Sequence, residues 1–371
     1  DTTVDWEYVQ ADGDGNPVSE VRTTFDYTLD QKAESSNAET LSWLFPHHWK
    51  YTDATLKTDT LWSAKGSLRL WAGSSFQTTK TYRGILPMLP GSQLDSTAQA
   101  NVTSYIDDLI ADSSSSGTGP YSEWTPPAAT YWVGKTLFRN TAAAPIAEQH
   151  ASESANAGIF LEAVRKRLEN WFDATSTEFT IDETTYSSTN DSGSSRELFY
   201  YDTTFGTMLG FPSGEFYLSR AMNDHHFHWG YFVYAASEVA RQNPSWVDEY
   251  GDMVELLIRD YANWERPAND GDPTTSTSAI DTTTPKNAPK DAFPFLRNFD
   301  AYAGHSWAGG FGSWNGNNQE SSSEAANAYA AMIRWAELTG DTEMRDAAVY
   351  LYTHEIHAIW DYWFDPENDS Q

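Results

Sequence analysis

A mainly α fold, with a β-rich segment over residues 1–92 and a helical domain over 93–371, is what the sequence predicts. Three observations predict it. In residues 1–92 short β-branched and aromatic runs alternate with turn residues, the texture of strands joined by tight loops. From about Ser96 the apolar period lengthens, and Ala100, Tyr105, Leu109 and Ile110 mark one face of a helix. Finally, 39% hydrophobic residues, with 16 Trp, 20 Tyr and 18 Phe, supply ample apolar surface for a packed core in a 371-residue chain.

Taken in order, Asp12-Gly13-Asp14-Gly15-Asn16-Pro17 is a turn between two strand-like runs, and 68–71 and 78–82 read as strands. A Ser/Gly loop covers 112–119. Helices are expected at 96–111, 130–151, 155–172, 228–242, 246–263, 323–339 and 342–360, with Pro244 and Gly340 punctuating two of the joints. Two long connections, 174–222 and 265–320, hold many of the aromatics, and loops of that length in a compact domain are usually functional. Within them, the acidic Ser/Thr stretches 186–195 and 270–285 read as solvated insertions. No exact internal repeat is visible.

Charge narrows the partners. With 53 acidic and 23 basic side chains, the formal net charge is -30. Nucleic acid and acidic membrane surfaces are excluded as partners, because both are held through Lys and Arg on phosphates. A neutral or cationic partner and a monomeric chain are expected. Lys is scarce, at nine against fourteen Arg, and concentrated salt would screen so acidic a surface, since the Debye length falls to roughly 3 Å at 1 M. Salt adaptation is therefore expected, with an ordinary acidic exported protein as the alternative. Zero cysteine means no disulfide and no thiolate metal site, which fits secretion without bridges. No run of 18 apolar residues is present to span a membrane. The chain opens on Asp1 and ends in a helical pattern without a closing feature, so it reads as a piece of something longer.

Three clusters carry candidate chemistry. Asn223 to Tyr231 packs Asp224 beside His225, His226 and His228 at the start of an aromatic, alanine-rich helix. There the macrodipole favours a charged carboxylate and burial favours a protonated one. The same residues also suit a helix cap with stacked core histidines, or a set of imidazole metal ligands. The second cluster runs from Asn315 through Asn318 and Glu320 to Glu324. A helix beginning at about Glu320 would put Glu320 and Glu324 at i and i+4 on one face. In a cleft they would supply a base and a neighbouring charge; on a surface they would only complement the helix dipole. The third cluster, Arg297 to Trp307, mixes Asp300 and His305 with the flat ring of Trp307. That mixture suits a sugar, whose faces are apolar and whose edges are hydroxyls. Tyr201 and Asp202, in Phe199-Tyr200-Tyr201-Asp202, have the same character.

At this point the motifs become recognisable. NDHHFHWGYFVYAAS from Asn223, FDAYAGHSWAGG from Phe299 and GNNQESSSEAANAY from Gly316, in this order and separation, resemble glycoside hydrolase family 81, the endo-β-1,3-glucanases. Further likeness lies in TLSWLFPHHWKYTD from Thr40, YRGILPMLP from Tyr82, YDTTFGTMLGFP from Tyr201 and YGDMVELLIRDYAN from Tyr250. The resemblance implies an N-terminal β-sandwich, a linking region and an (α/α)6 toroid. Residues 1–92 would then be the end of the sandwich and linker, and 93–371 an incomplete toroid lacking C-terminal helices.

By the same resemblance the activity is hydrolysis of internal β-1,3-glucosidic bonds with inversion, without metal or organic cofactor, on a neutral, laminarin-like glucan. Asp224 takes the general acid's place and Glu324 the base's, with Glu320 beside it. His228, Tyr201, Asp202, Asp300, His305, Trp307 and Asn318 fall in substrate-binding motifs. The chain has Asn315 where the family often has Asp, and Trp229 where Tyr is frequent. Inversion implies carboxyls roughly 6.5 to 9.5 Å apart across a cleft, with loop 265–320 as one wall and His305 and Trp307 near the acids. Two rivals share these residues: a polysaccharide lyase, for which Arg220 and Arg297 offer few contacts to an anionic polymer, and a glucan-binding protein without catalysis.

Overall fold

The structure, a computed structural model, describes residues 2–28, 40–88, 91, 93–112, 117–122, 129–150, 155–173, 178–181, 184–187, 197–211, 222–266, 292–309 and 316–367. Arg220, Asn315, most of the stretch 186–195 and all of 270–285 lie outside the described residues. In chain order the strands are β1 (Thr2–Ala11), β2 (Pro17–Tyr27), β3 (Thr40–Leu44), β4 (Leu56–Ser63), β5 (Gly66–Gly73), β6 (Ser75–Thr81), β7 (Glu178–Ile181), β8 (Thr184–Ser187), β9 (Leu198–Asp202), β10 (Thr207–Phe211), β11 (Phe299–Asp300) and β12 (His305–Ser306). The helices are α1 (Pro46–Trp49), α2 (Ser96–Ala111), α3 (Thr130–His150), α4 (Ala155–Phe172), α5 (His225–Gln242), α6 (Trp246–Ala262), α7 (Ser322–Thr339) and α8 (Thr342–Ala358), the last continuing as a π-helical stretch, Ile359–Phe364.

The chain divides into two compact units, Asp1–Ile85 with Phe299–Trp307 and Thr342–Gln371, and Leu86–Asn298 with Ala308–Asp341. In the first unit, antiparallel sheets run in the orders β1-β2-β6 and β3-β5-β4. The turn at 12–17 forms because the Asp12 carboxylate accepts from the Asp14 and Asn16 amides, at 3.0 and 2.8 Å. Period-two alternation then buries Val21, Thr23 and Phe25 of β2 and Phe76, Thr78 and Lys80 of β6 on one face. Phe25, Phe76, Leu44 and Trp71 make the core of this unit. Helix α8 packs against β1, β2 and β6. Tyr350 on α8 stacks on Trp6, with ring centroids 4.5 Å apart. The 3.6-residue period makes 342–360 a helix but does not say which surface it covers.

The second unit is built around α5, of which only Tyr234, Arg241 and Gln242 escape burial. Helices α3, α4, α6 and α7 all pack on it. Two glycines permit the closest approaches. A Cβ at Gly134 of α3 would lie 3.0 Å from the Tyr231 Cβ, and one at Gly230 of α5 would lie 2.6 Å from the Ala328 Cβ on α7. Across the α5–α7 seam, Arg334 donates to the buried Glu238 carboxylate at 2.8 Å. On α6, the Tyr261 hydroxyl donates to the Ala328 carbonyl of α7 at 3.1 Å. Trp171, Phe199, Trp229 and Phe232 fill the interior with edge and tilted ring contacts about Phe199 at 5.0 to 5.1 Å.

The helix starts correct two expectations. Helix α5 begins at His225, three residues before the expected 228. Helix α7 begins at Ser322, so Glu320 precedes it and does not share a helical face with Glu324. Ser321, at φ -142 and ψ 88, is extended rather than helical and serves as the N-cap.

Candidate active site

Asp224 stands at the N-cap of α5 in left-handed backbone geometry, φ 57 and ψ 23, and makes no side-chain capping bond. Its carboxylate is therefore not committed to holding the helix start. The side chain is 3% exposed, and the Asn223 amide donates to its Oδ2 at 2.5 Å. Its backbone N–H donates to the Ala308 carbonyl at 3.0 Å, and the Ala308 N–H donates to the Asn318 carbonyl at 2.7 Å. Ala308 thereby ties the start of α5 to the loop that carries Glu320. The Asn318 side-chain amide in turn reaches Glu320 Oε2 at 3.5 Å.

Glu324, in the first turn of α7, accepts from the Tyr231 hydroxyl at 2.5 Å, a contact made across the α5–α7 seam. Tyr131, on α3, also hydrogen-bonds Glu324. Burial pushes the Tyr131 phenol up to about 12, helped by that bond and by the charges of Glu324, Glu320 and Asp224. One phenol thus lies in the field of all three carboxylates, although Asp224 stands 96 and 100 positions from Glu320 and Glu324 in the chain. Tyr231 is pushed above its ordinary range by burial and then by Glu324. Together the two phenols give Glu324 a fixed orientation.

The histidines beside Asp224 do different work. Thr130 Oγ1 and His228 Nδ1 pair at 2.8 Å, setting that ring between α3 and α5. Burial, then the charge of His225, lowers His226 to about 3 and His228 well below the usual value, so both are neutral at neutral pH. His225 pairs through Nδ1 with the Asp260 carboxylate on α6. Because His225 and His228 face different partners, the three rings do not form one metal pocket. Among the described residues no group of three or more His, Cys, Asp or Glu could hold a metal ion.

Asp260 is the residue that sequence reasoning passed over. Fully buried, it accepts from Trp229 Nε1 at 2.7 Å, Thr207 Oγ1 at 2.8 Å and the Met208 N–H at 3.0 Å, and it pairs with Arg297 at 3.4 Å as well as with His225. Burial alone would raise this carboxyl, but the charges of His225 and Arg297 and the bonds from His225 and Thr207 hold it at about 2. It fastens the first turn of α5, and with it Asp224, to α6 and β10. Its signal was the last of three acids in YGDMVELLIRDYAN, the one that follows the apolar run Leu256-Leu257-Ile258 and precedes Tyr261, all of them buried.

The remaining candidates have local partners. Tyr201 donates to the Ala292 carbonyl, and Asp202 accepts from the Thr204 and Phe205 amides in the β9–β10 turn, at 2.8 and 3.2 Å. Asp300, His305 and Trp307 belong to the first unit, whereas Asp224, Glu320 and Glu324 belong to the second. Asp300 accepts from the Tyr302 and Ala303 amides at 3.0 and 2.8 Å and from Trp307 Nε1 at 3.3 Å. The rings of His305 and Trp307 meet edge to face at 4.6 Å.

Comparison with known proteins decides the family. The family model described as "Glycosyl hydrolase family 81 C-terminal domain" matches residues 121–371. The chain belongs to glycoside hydrolase family 81. A glucan endo-1,3-beta-D-glucosidase of Acetivibrio thermocellus is 38% identical over 374 residues, a match covering 100% of this chain and 41% of that protein. A family relative of the same name from Thermobifida fusca is 32% identical over 372 residues, covering 100% and 42%. The solved structure of a mutant family 81 glycoside hydrolase from Clostridium thermocellum matches with a TM-score of 0.77 at 36% identity, over 100% of this chain and 44% of that one. The chain thus spans less than half the length of these family 81 proteins. Within the family 81 match lie Asp224, Glu320, Glu324, Tyr131, Tyr231 and Asp260.

Proposed function

We propose that the protein carrying this chain is an endo-β-1,3-glucanase that cleaves internal bonds of a laminarin-like glucan with inversion. The observation that carries the reading is the tie between α5 and the start of α7: the Tyr231 hydroxyl of α5 holds Glu324, and Ala308 links Asp224 at the head of α5 to the loop of Asn318 and Glu320. Asp224, at the start of α5, is the general acid that protonates the leaving glycosidic oxygen. Glu324, oriented by Tyr231 and Tyr131, is the general base that takes a proton from water attacking the opposite face of the sugar. Glu320 and Asn318 are assigned to placing that water and a sugar hydroxyl, and the contact between their side chains at 3.5 Å supports a joint role. His228, Tyr201 and Asp202 in the second unit, and Asp300, His305 and Trp307 in the first, are substrate-binding residues on this reading. On this reading residues 93–371 are part of an (α/α)6 toroid, residues 1–92 end a β-sandwich and its linker, and the protein is secreted. The family membership and the names of its relatives support this reading.

The test is laminarin digested by the protein, with new reducing ends counted and their anomeric form followed by NMR. Inversion gives the α-anomer first. A β-anomer would exclude the proposed base role, absence of reducing ends would leave a binder, and an ultraviolet-absorbing product from a uronate polymer would mark a lyase.

Salt adaptation is part of the same proposal, since a net charge of -30 sets surface carboxylates against one another. Added salt screens that repulsion. The melting temperature is therefore expected to rise from dilute buffer to above 1 M salt. A flat or falling trend would remove the halophile reading and leave the hydrolase reading intact.

A further inference from the structure

Lys65 stands in the β4–β5 turn, away from every motif that carries the family likeness. Its Nζ nevertheless lies 2.7 Å from His305 Nε2 and within 5.3 to 5.6 Å of the ring centres of Phe45, Tyr362 and Trp307. All five residues belong to the first unit.

The hydrogen bonds fix the proton on His305. Its Nδ1 lies 2.7 Å from the Ser306 carbonyl oxygen. A carbonyl only accepts, so Nδ1 carries the hydrogen. Lys65 offers only donors, so Nε2 must be the acceptor. An imidazolium would set an N–H against the ammonium at this distance. His305 is therefore neutral and in one tautomer. The amine also faces the π-clouds of three rings, an arrangement that holds a cation by its charge rather than by a directed bond.

We infer that Lys65 is a positioning residue for glucan binding: from the hairpin turn it locks His305 in the Nδ1–H tautomer and, through His305 and its own place beside the indole, fixes the Trp307 ring against which a glucose unit packs. This rests on the proposed assignment of His305 and Trp307 to substrate binding. Trp307 is then held by Asp300 at its indole nitrogen, by His305 at its edge and by Lys65 beside its ring. The other titratable groups around this amine are Asp300 on β11, Glu355 on α8, His47 and His48 on α1, and Tyr362 on the π-helical stretch. Burial brings the Lys65 amine down to about 8 against the pull of Asp300 and Glu355. Burial, followed by the Lys65 charge, brings His305 to about 4.

The experiment compares K65M, K65R and W307A, each in a Glu324→Gln background so that a β-1,3-linked glucose hexamer is bound without being cut. Affinity is measured by calorimetry, and the His305 ring nitrogens are followed by 15N NMR across pH 4 to 8. K65M is expected to weaken binding about tenfold and to let His305 titrate at least one pH unit higher. K65R, which keeps a charged donor, is expected to stay within about twofold of the parent in affinity, with Nε2 still the acceptor. If W307A binds like the parent, the assignment of this pair to glucan binding falls. If W307A weakens binding while K65M does not, the role of Lys65 alone falls. Unchanged His305 signals in K65M overturn the tautomer lock. Should K65M fail to fold, K65R decides: a tenfold loss there, with the His305 tautomer kept, overturns the proposal.

Discussion

Asp224→Asn and Glu324→Gln are each expected to lower turnover on laminarin by about 10²- to 10⁴-fold, the range that general acid or base assistance supplies. The substitutions are chosen so that little else changes. Asn is among the few residues that tolerate the left-handed conformation found at position 224, so the start of α5 keeps its geometry while the proposed proton donor is lost. Gln at 324 keeps a carbonyl oxygen for the Tyr231 hydroxyl but cannot take a proton from water. Both variants should melt within a few degrees of the parent. Either one retaining a tenth of parental activity would remove that residue from its proposed role. Glu320→Gln should cost much less, because Glu320 lies outside α7, beside the proposed base rather than in its place.

The second large effect concerns stability. Asp260→Asn replaces a buried carboxylate that receives Trp229 and His225 on one oxygen and Thr207, the Met208 amide and Arg297 on the other. An amide cannot satisfy both sides: its NH₂ would meet the donors of one side, and the charge that balances Arg297 disappears. Removing one member of a buried charged network typically costs about 3 to 5 kcal/mol. In a domain of this size that corresponds to a fall in melting temperature of roughly 10 °C. Calorimetric melting checks it, and a shift below about 3 °C would show that Asp260 is not what fastens α5 to α6 and β10. Arg297→Gln should cost less, because His225 remains as a partner for the carboxylate.

Much of the fold was legible because the helices carry it. The apolar period located 96–111, 130–150, 155–172, 246–262 and 342–358 almost to the residue. The start of α5 was read three residues late, because His225 and His226 resemble loop residues until the aromatic packing that buries them is known. Glu320 was set on a helical face because nothing in Glu-Ser-Ser-Ser-Glu says which serine leaves the helix. Asp224 and Glu324 stand out only through whole motifs, since isolated acids in so acidic a chain carry little information. Asp260 and Tyr131 were missed for a related reason: a single acid or phenol on a helix reads as ordinary surface until a tertiary partner defines it.

Gly230 gives the architecture a tolerance in the machinist's sense. On the proposed roles, Asp224 sits at the head of α5 and Glu324 in the first turn of α7, and these two helices touch where Gly230 faces Ala328. A methyl group at 230 would stand 2.6 Å from the Ala328 Cβ, against an ordinary carbon separation of about 3.5 to 4.0 Å, so the seam would have to open by roughly 1 Å. At their nearest edges, the retaining and inverting ranges of acid-to-carboxylate spacing, about 5.5 and about 6.5 Å, are separated by that same distance. On those roles, the clearance left for the attacking water is gauged by a hydrogen atom on a residue with no part in the chemistry.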